Sequence, residues 1–138
     1  MAYWLFKTEP ETWSWEMQKK KGVKGEPWSG VRNFQAARNM KAMKEGDLGF
    51  FYHTGEEKRI VGIVEVIGEY RKDPTDETGR FGLVVVQAVE DVPTPVTLAE
   101  IRATPKLKEM VLVKYSRLSV QPVRDNEWKL IRKMGGLE

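Results

Sequence analysis

The fold predicted by the sequence is a mixed α+β domain: a small, bent, mostly antiparallel β-barrel with helices inserted between its strands. Three observations carry it. Five runs rich in branched and aromatic residues read as strands. The longest of them contains internal glycines, where a sheet bends or bulges towards closure. The helical segments fall irregularly between the strands, which argues against a regular alternation of strand and crossover helix.

The elements follow in order. Tyr3 to Lys7 is short, aromatic and closed off by Pro10, the pattern of a strand buried on at least one face. Thr12 or Ser14 caps a short helix through Met17 and Lys20 that Gly22 ends. Three glycines, Pro27 and Trp28 make a loop of the stretch from Gly22 to Arg32. From Asn33 to Met43, Phe34, Ala37, Met40 and Met43 recur every three residues, the spacing of an amphipathic helix, with Gly46 beyond its end. Leu48 to Tyr52, Ile60 to Tyr70 and Leu83 to Val89 read as three further strands, and Gly62 and Gly68 are the bend points of the middle one. Pro93 and Pro95 are expected to break the sheet. Thr97 caps a helix through Leu98 and Ile101, Leu118 to Val123 is the last strand, and Asn126 to Met134 the last helix. No repeat, linker or low-complexity tract interrupts this order, and at 138 residues one domain over 1–138 is expected.

Composition closes several chemistries. With no cysteine, disulfide scaffolds, thiolate metal sites, iron–sulfur clusters and cysteine nucleophiles are excluded. His53 is the one histidine and no usual metal motif is present, so neither metal nor cofactor is expected. No apolar run approaches the roughly 20 residues of a membrane span, and Glu9 interrupts the N-terminal apolar stretch, so the expectation is a soluble, cytoplasmic monomer without a membrane partner. The net charge of +3 is unevenly spread: nine basic against five acidic residues in 1–45, five against eleven in 46–100, and nine against four in 101–138. If the two ends of the chain meet, their basic groups form a patch suited to phosphate; an evenly solvated surface is the plainer alternative.

The richest segment for ligand chemistry is Trp28-Ser29-Gly30-Val31-Arg32-Asn33, running into Arg38. It places an aromatic face, a flexible backbone position, polar side chains and two arginines beside a helix start, whose free N–H groups suit a phosphate or the carbonyl edge of a base. Trp28, on a polar glycine-rich loop, reads as a stacking surface for a base, whereas Asn33 by itself reads better as a helix cap. In Phe50-Phe51-Tyr52-His53, alternation puts Phe51 and His53 on one side of the strand and Phe50 and Tyr52 on the other. His53 lacks any motif that would supply a catalytic partner, and Glu56 and Glu57 read as solvated turn residues. Lys114 and Arg117 alternate with hydroxyl residues, as a phosphate-contacting edge would, but also as an ordinary exposed edge would.

The N-terminal YWLFKTEP followed by WSW, the segment WSGVRNFQAARNMKAMKEGD, the strand FFYHTGE and the late LSVQP followed by EW resemble the EVE domain family, which includes the thymocyte nuclear protein group. The likeness runs through essentially the whole chain in order. It implies a PUA-like fold, related to the PUA and YTH domains, and a binding role: nucleic acid, RNA or DNA, carrying a modified base that a pocket accepts. The family's pocket-forming segments correspond to Lys7 and Glu9, to Trp28, Ser29, Gly30, Val31, Arg32 and Asn33, and to Tyr52 and His53. No enzymatic activity is implied. The reading is thus a non-catalytic module that takes a single-stranded or flipped-out modified base, with Arg32, Arg38, Lys114 and Arg117 on the flanking phosphates. Two other classes remain open at this point: a nucleic-acid hydrolase using His53 as general base, and a sensor of a free nucleotide-like molecule.

Overall fold

In the computed structural model, which describes residues 1–137, one six-stranded sheet carries helices on both faces. The strands are β1 (Tyr3–Thr8), β2 (Glu26–Pro27), β3 (Leu48–His53), β4 (Arg59–Lys72), β5 (Gly82–Thr97) and β6 (Val120–Val123). The helices are α1 (Trp15–Lys20), α2 (Phe34–Lys41), α3 (Leu98–Arg102), α4 (Val111–Lys114) and α5 (Asp125–Met134). The sheet order is β2-β5-β4-β3-β1-β6, antiparallel throughout except for β1 against β3, which run parallel.

Alternation along the strands sorts the apolar residues into two cores. On one face Trp4, Phe6, Phe51, Val64, Val66, Val84 and Val86 pack under Trp15, Trp28, Val31 and the Ala36–Met40 side of α2. On the other, Leu5, Phe50, Tyr52, Ile60 and Ile63 meet Ile101, Leu107, Leu112, Trp128 and Ile131 from the C-terminal helices. Trp128 stacks on Phe50 at 4.0 Å and on Tyr3 at 4.4 Å between ring centroids. The helix starts obey the capping rules: Ser14 Oγ accepts from Met17 N–H, Asn33 Oδ1 from Ala36 N–H and Thr97 Oγ1 from Glu100 N–H.

Three expectations are corrected. The sheet is open, not a closed barrel: β2 and β6 are its two ends and do not pair among the described residues. β2 has only two residues, too few to carry a closing ladder, and α2 lies against β6, with Asn39 Nδ2 donating to the Val120 carbonyl at 2.7 Å. The bends foreseen at Gly62 and Gly68 do exist as register shifts next to both, between Ile60 and Gly62 and between Val66 and Gly68. Second, Pro93 and Pro95 do not end the sheet, because β5 runs on to Thr97. Its pairing with β4 skips from Asp91 to Val96, so both missing N–H groups fall in a stretch that needs no ladder donor. Third, Phe34 does not share the buried face of α2. It is 58% exposed, and Ala36 takes the inward position with Ala37 and Met40.

Candidate functional site

Two polar loops meet over the Trp28 face of the sheet. The turn after β1 is built on Glu9, whose carbonyl accepts from both Thr12 N–H and Trp13 N–H at 2.9 Å. Thr8 closes it by donating its hydroxyl to the Trp13 carbonyl, and the Thr8 carbonyl in turn accepts from Thr54 N–H. Gln18, fully buried, bridges this turn to the sheet: its Oε1 accepts from the Trp13 indole N–H and its amide donates to the Val86 carbonyl. Opposite stands the Glu26–Arg32 segment, anchored by Trp28 N–H donating to the Val84 carbonyl at 2.8 Å. Between them, closed on a third side by Ser119, is a cavity of about 430 Å³ lined by Lys7, Glu9, Thr12, Trp13 and the Trp28–Arg32 loop. That volume lies within the range of small-ligand sites, roughly 300–1,000 Å³.

One carboxylate holds the second loop. Asp73 is 1% exposed; its Oδ2 accepts from Gly30 N–H at 2.9 Å and from Arg32 Nη1 at 3.1 Å, while its Oδ1 accepts from Thr75 N–H and Thr75 Oγ1. Burial alone would raise its pKa, but the hydrogen bonds from Thr75, Gly30 and Arg32 outweigh it and hold the carboxyl down at about 2. Gly30 has φ of +82° with open space where a Cβ would stand, so glycine is required there by backbone conformation rather than by crowding. Arg32 is committed to this brace: besides Asp73 it donates to the Val31 carbonyl and to Thr75 Oγ1, and it lies over the Phe81 ring.

Trp28 is expected as a stacking surface and proves to be both cavity wall and core. It lines the cavity, and it is also 8% exposed and packed edge-on against Phe6 (5.3 Å) and Phe51 (5.8 Å). Lys7 lines the cavity too, but its Nζ donates to the Ser116 carbonyl at 2.6 Å and lies 5.9 Å from the Tyr52 ring; burial lowers its pKa. Ser29, Gly30, Val31, Arg32 and Glu9 are brought together with them.

Three residues expected in the same pocket lie elsewhere. Asn33 caps α2 and lines an adjoining cleft. Tyr52 is buried on the opposite face of the sheet, where burial raises its phenol pKa, with Arg102 pulling the other way. His53 sits beneath α1, away from the cavity, and Glu57 is not the solvated residue expected. His53 Nε2 accepts from Trp15 N–H at 3.0 Å, which requires the proton on Nδ1, and Nδ1 lies 2.8 Å from Glu57 Oε1. Both ring nitrogens are therefore engaged within the protein, and neither is free to abstract a proton from a substrate.

Of the cations assigned to phosphates, Arg38 is exposed on α2 and donates to Gln35, and Lys114 is ion-paired with Glu109, which raises the lysine pKa. Arg117 makes no ion pair or side-chain hydrogen bond among the described residues. Trp13, Thr12 and Ser119 were missed in the sequence. The signal for Trp13 was the one used for Trp28, an aromatic residue in a polar turn.

The EVE domain profile matches residues 2–134. Thymocyte nuclear protein 1 of Gallus gallus is 32% identical over 167 aligned positions, spanning 94% of this chain and 67% of that protein. A crystal structure of a protein from Agrobacterium tumefaciens superposes with a TM-score of 0.97 at 53% identity, covering 99% of this chain and 94% of the other. The human THYN1 protein, solved in complex with 5-methylcytosine-containing DNA, superposes with a TM-score of 0.93 at 29% identity, covering 100% of this chain and 99% of that one. With the profile matched along nearly its full length, this chain belongs to the EVE domain family.

Proposed function

We propose that this chain is a nucleic-acid-binding module that receives a modified base in the cavity between the Glu9 turn and the Trp28 loop, without covalent chemistry. The observation that carries the proposal is the likeness to human THYN1, which was solved with 5-methylcytosine-containing DNA and matches this chain over all of its length. The chemistry of the cavity supports it. Trp13 and Trp28 supply aromatic surface, and Thr12, Ser29 and Glu9 supply donors and acceptors for a base edge. Bringing a base out of a duplex costs a few kcal/mol. Stacking on an aromatic face returns about 1–3 kcal/mol, so a single strand or an already weakened pair is the favoured target. The engaged nitrogens of His53 favour binding over hydrolysis.

The test is fluorescence anisotropy with single-stranded and duplex oligonucleotides, of DNA and of RNA, carrying cytosine or 5-methylcytosine at one position. Tighter binding of the modified strand, weakened by Ser29→Ala and by Glu9→Gln, is expected. Equal affinity for modified and unmodified strands, unmoved by either substitution, would overturn the assignment of this cavity. A free modified nucleoside bound as tightly as the strand would turn the reading to a small-molecule sensor.

A further inference from the structure

Beside the cavity lies a second cleft, of about 380 Å³, lined by Asn33, Gln35 and the loop Tyr115–Leu118. The linings of the two depressions are neighbours in the chain on both sides. On one wall the cavity's Val31 and Arg32 lead directly to Asn33 and Gln35; on the other its Ser119 follows Leu118. The cleft contains no carboxylate and holds Arg117, whose guanidinium is unpaired among the described residues. Tyr115 at its rim is 61% exposed, an aromatic ring that the fold itself leaves uncovered.

The loop that presents these two groups is fastened from behind. Lys7 donates its Nζ to the Ser116 carbonyl and its backbone N–H to the Ser119 carbonyl. Gln121, fully buried on β6, donates its amide to the carbonyls of Leu118 (2.8 Å) and Tyr115 (3.4 Å). Four backbone carbonyls are thus drawn inward, and the Tyr115 ring and the Arg117 guanidinium are left outward on a fixed backbone. Fixing a binding loop beforehand removes part of the ordering cost of association. Lys7 and Gln121 are positioning residues in this arrangement.

Resting on the reading of the cavity as a base pocket, we infer that this cleft takes the nucleotide next to the modified one on the same strand. Its base stacks on Tyr115 and the intervening phosphate pairs with Arg117. Charge complementarity and a lining adjacent in the chain to that of the cavity favour nucleic acid as the occupant, since the cleft offers a cation and an aromatic face with no acidic group. The modified base alone sets recognition in the cavity, and the cleft adds affinity that depends on strand length.

The experiment compares two probes by calorimetry: 5-methyl-2′-deoxycytidine, and a DNA trinucleotide with 5-methylcytosine at its centre and thymine on each side. Wild type is measured with Tyr115→Ala, Tyr115→Phe and Arg117→Ala, all at exposed positions. The nucleoside should bind all four proteins equally. For the trinucleotide, Tyr115→Ala should lose about 5- to 150-fold, whereas Tyr115→Phe, which keeps the ring, should stay close to wild type. Arg117→Ala should reduce the slope of log K against log salt by about 0.7. If wild type binds both probes and the trinucleotide is unaffected by Tyr115→Ala and Arg117→Ala, the cleft assignment fails and the cavity assignment stands. Should wild type bind neither probe, the cavity reading and this inference both fall.

Discussion

Replacing Asp73 by asparagine keeps the shape of the side chain and removes the charge that braces the Trp28 loop. An amide has one acceptor oxygen. Whichever way it turns, two of the four accepted hydrogen bonds are lost: an NH₂ facing Gly30 N–H and Arg32 confronts two donors, and one facing Thr75 confronts its N–H while the hydroxyl must turn round to accept. With about 1–3 kcal/mol for each buried group left unpaired, the loss should be about 2–4 kcal/mol, held to the lower part because the Arg32 side chain is 39% exposed. The acid–base linkage gives an independent figure. A carboxyl at about 2 instead of 3.8 corresponds to about 2 kcal/mol of stabilisation. Because the folded-state pKa is the lower one, this stabilisation is fully present above the unfolded value and is lost as pH falls through about 2. Urea unfolding followed by circular dichroism should show Asp73→Asn weaker by that amount at pH 7, a fall in Tm of about 7–14 °C for a chain of this length. The gap between wild type and variant should narrow as pH drops from about 4 towards 2, since protonation does to wild type what the substitution has already done. A variant within about 0.5 kcal/mol of wild type at pH 7, or a gap that stays constant down to pH 2, would refute the brace.

Trp28→Ala should cost about 3–5 kcal/mol because the indole is packed against Phe6 and Phe51, and should abolish binding of the 5-methylcytosine strand as well; Trp28→Phe, read by urea unfolding and anisotropy together, should recover most of the stability and only part of the affinity. His53→Ala leaves the Trp15 N–H and Glu57 without their partner and should cost about 1–3 kcal/mol while leaving nucleoside affinity unchanged, since His53 does not line the cavity. The Glu57 carboxyl, held below its usual range by the His53 hydrogen bond, contributes stability that is present above the ordinary pKa of 4.5 and is lost as pH falls through the lowered value; in His53→Ala its carbon-13 titration should move upward. Gly62→Ala puts a methyl 2.2 Å from the Trp15 ring, which is fixed by its indole N–H to Asp91 and by its backbone N–H to His53, so a loss of at least about 1–3 kcal/mol and an altered near-ultraviolet dichroism are expected.

Local chemistry accounts for most of what was legible. Strand cores are dense in branched and aromatic residues, and the caps at Ser14, Asn33 and Thr97 announce their helices through three-residue spacings. What was hidden depends on long-range pairing. Pro93 and Pro95 look like breakers until the ladder is seen to skip them, and the brace joins Arg32 to Asp73 across 41 positions. Glu57 reaches back to His53 across the β3–β4 turn, at a spacing familiar from helices but here between strands. Tyr52 and His53 are the instructive pair. Strict alternation sets them on opposite faces, so a single pocket on one face of the sheet cannot take both side chains, whatever the family resemblance implies.

The division of the molecule by its sheet determines which substitutions can separate binding from folding. The face closed by Trp128, Ile131 and Leu112 places none of its core residues in the cavity lining, and apart from Tyr52, which lies against Lys7, mutations of that core act through stability. On the other face the cavity floor is itself core, so Trp28 cannot be altered without both effects. The separable positions are the exposed ones on the rim: Ser29 and Glu9 at the cavity, and Tyr115 and Arg117 at the cleft. Each is carried on backbone held by a buried group: Asp73 under the Trp28 loop, Gln18 behind the Glu9 turn, and Gln121, helped by half-buried Lys7, behind Tyr115. Such an arrangement lets the rim change with the ligand while the brace and the sheet stay as they are. Ser29→Ala and Tyr115→Ala should therefore leave the free energy of urea unfolding within about 0.5 kcal/mol of wild type. Asp73→Asn, which touches no ligand, should move both the midpoint and the affinity.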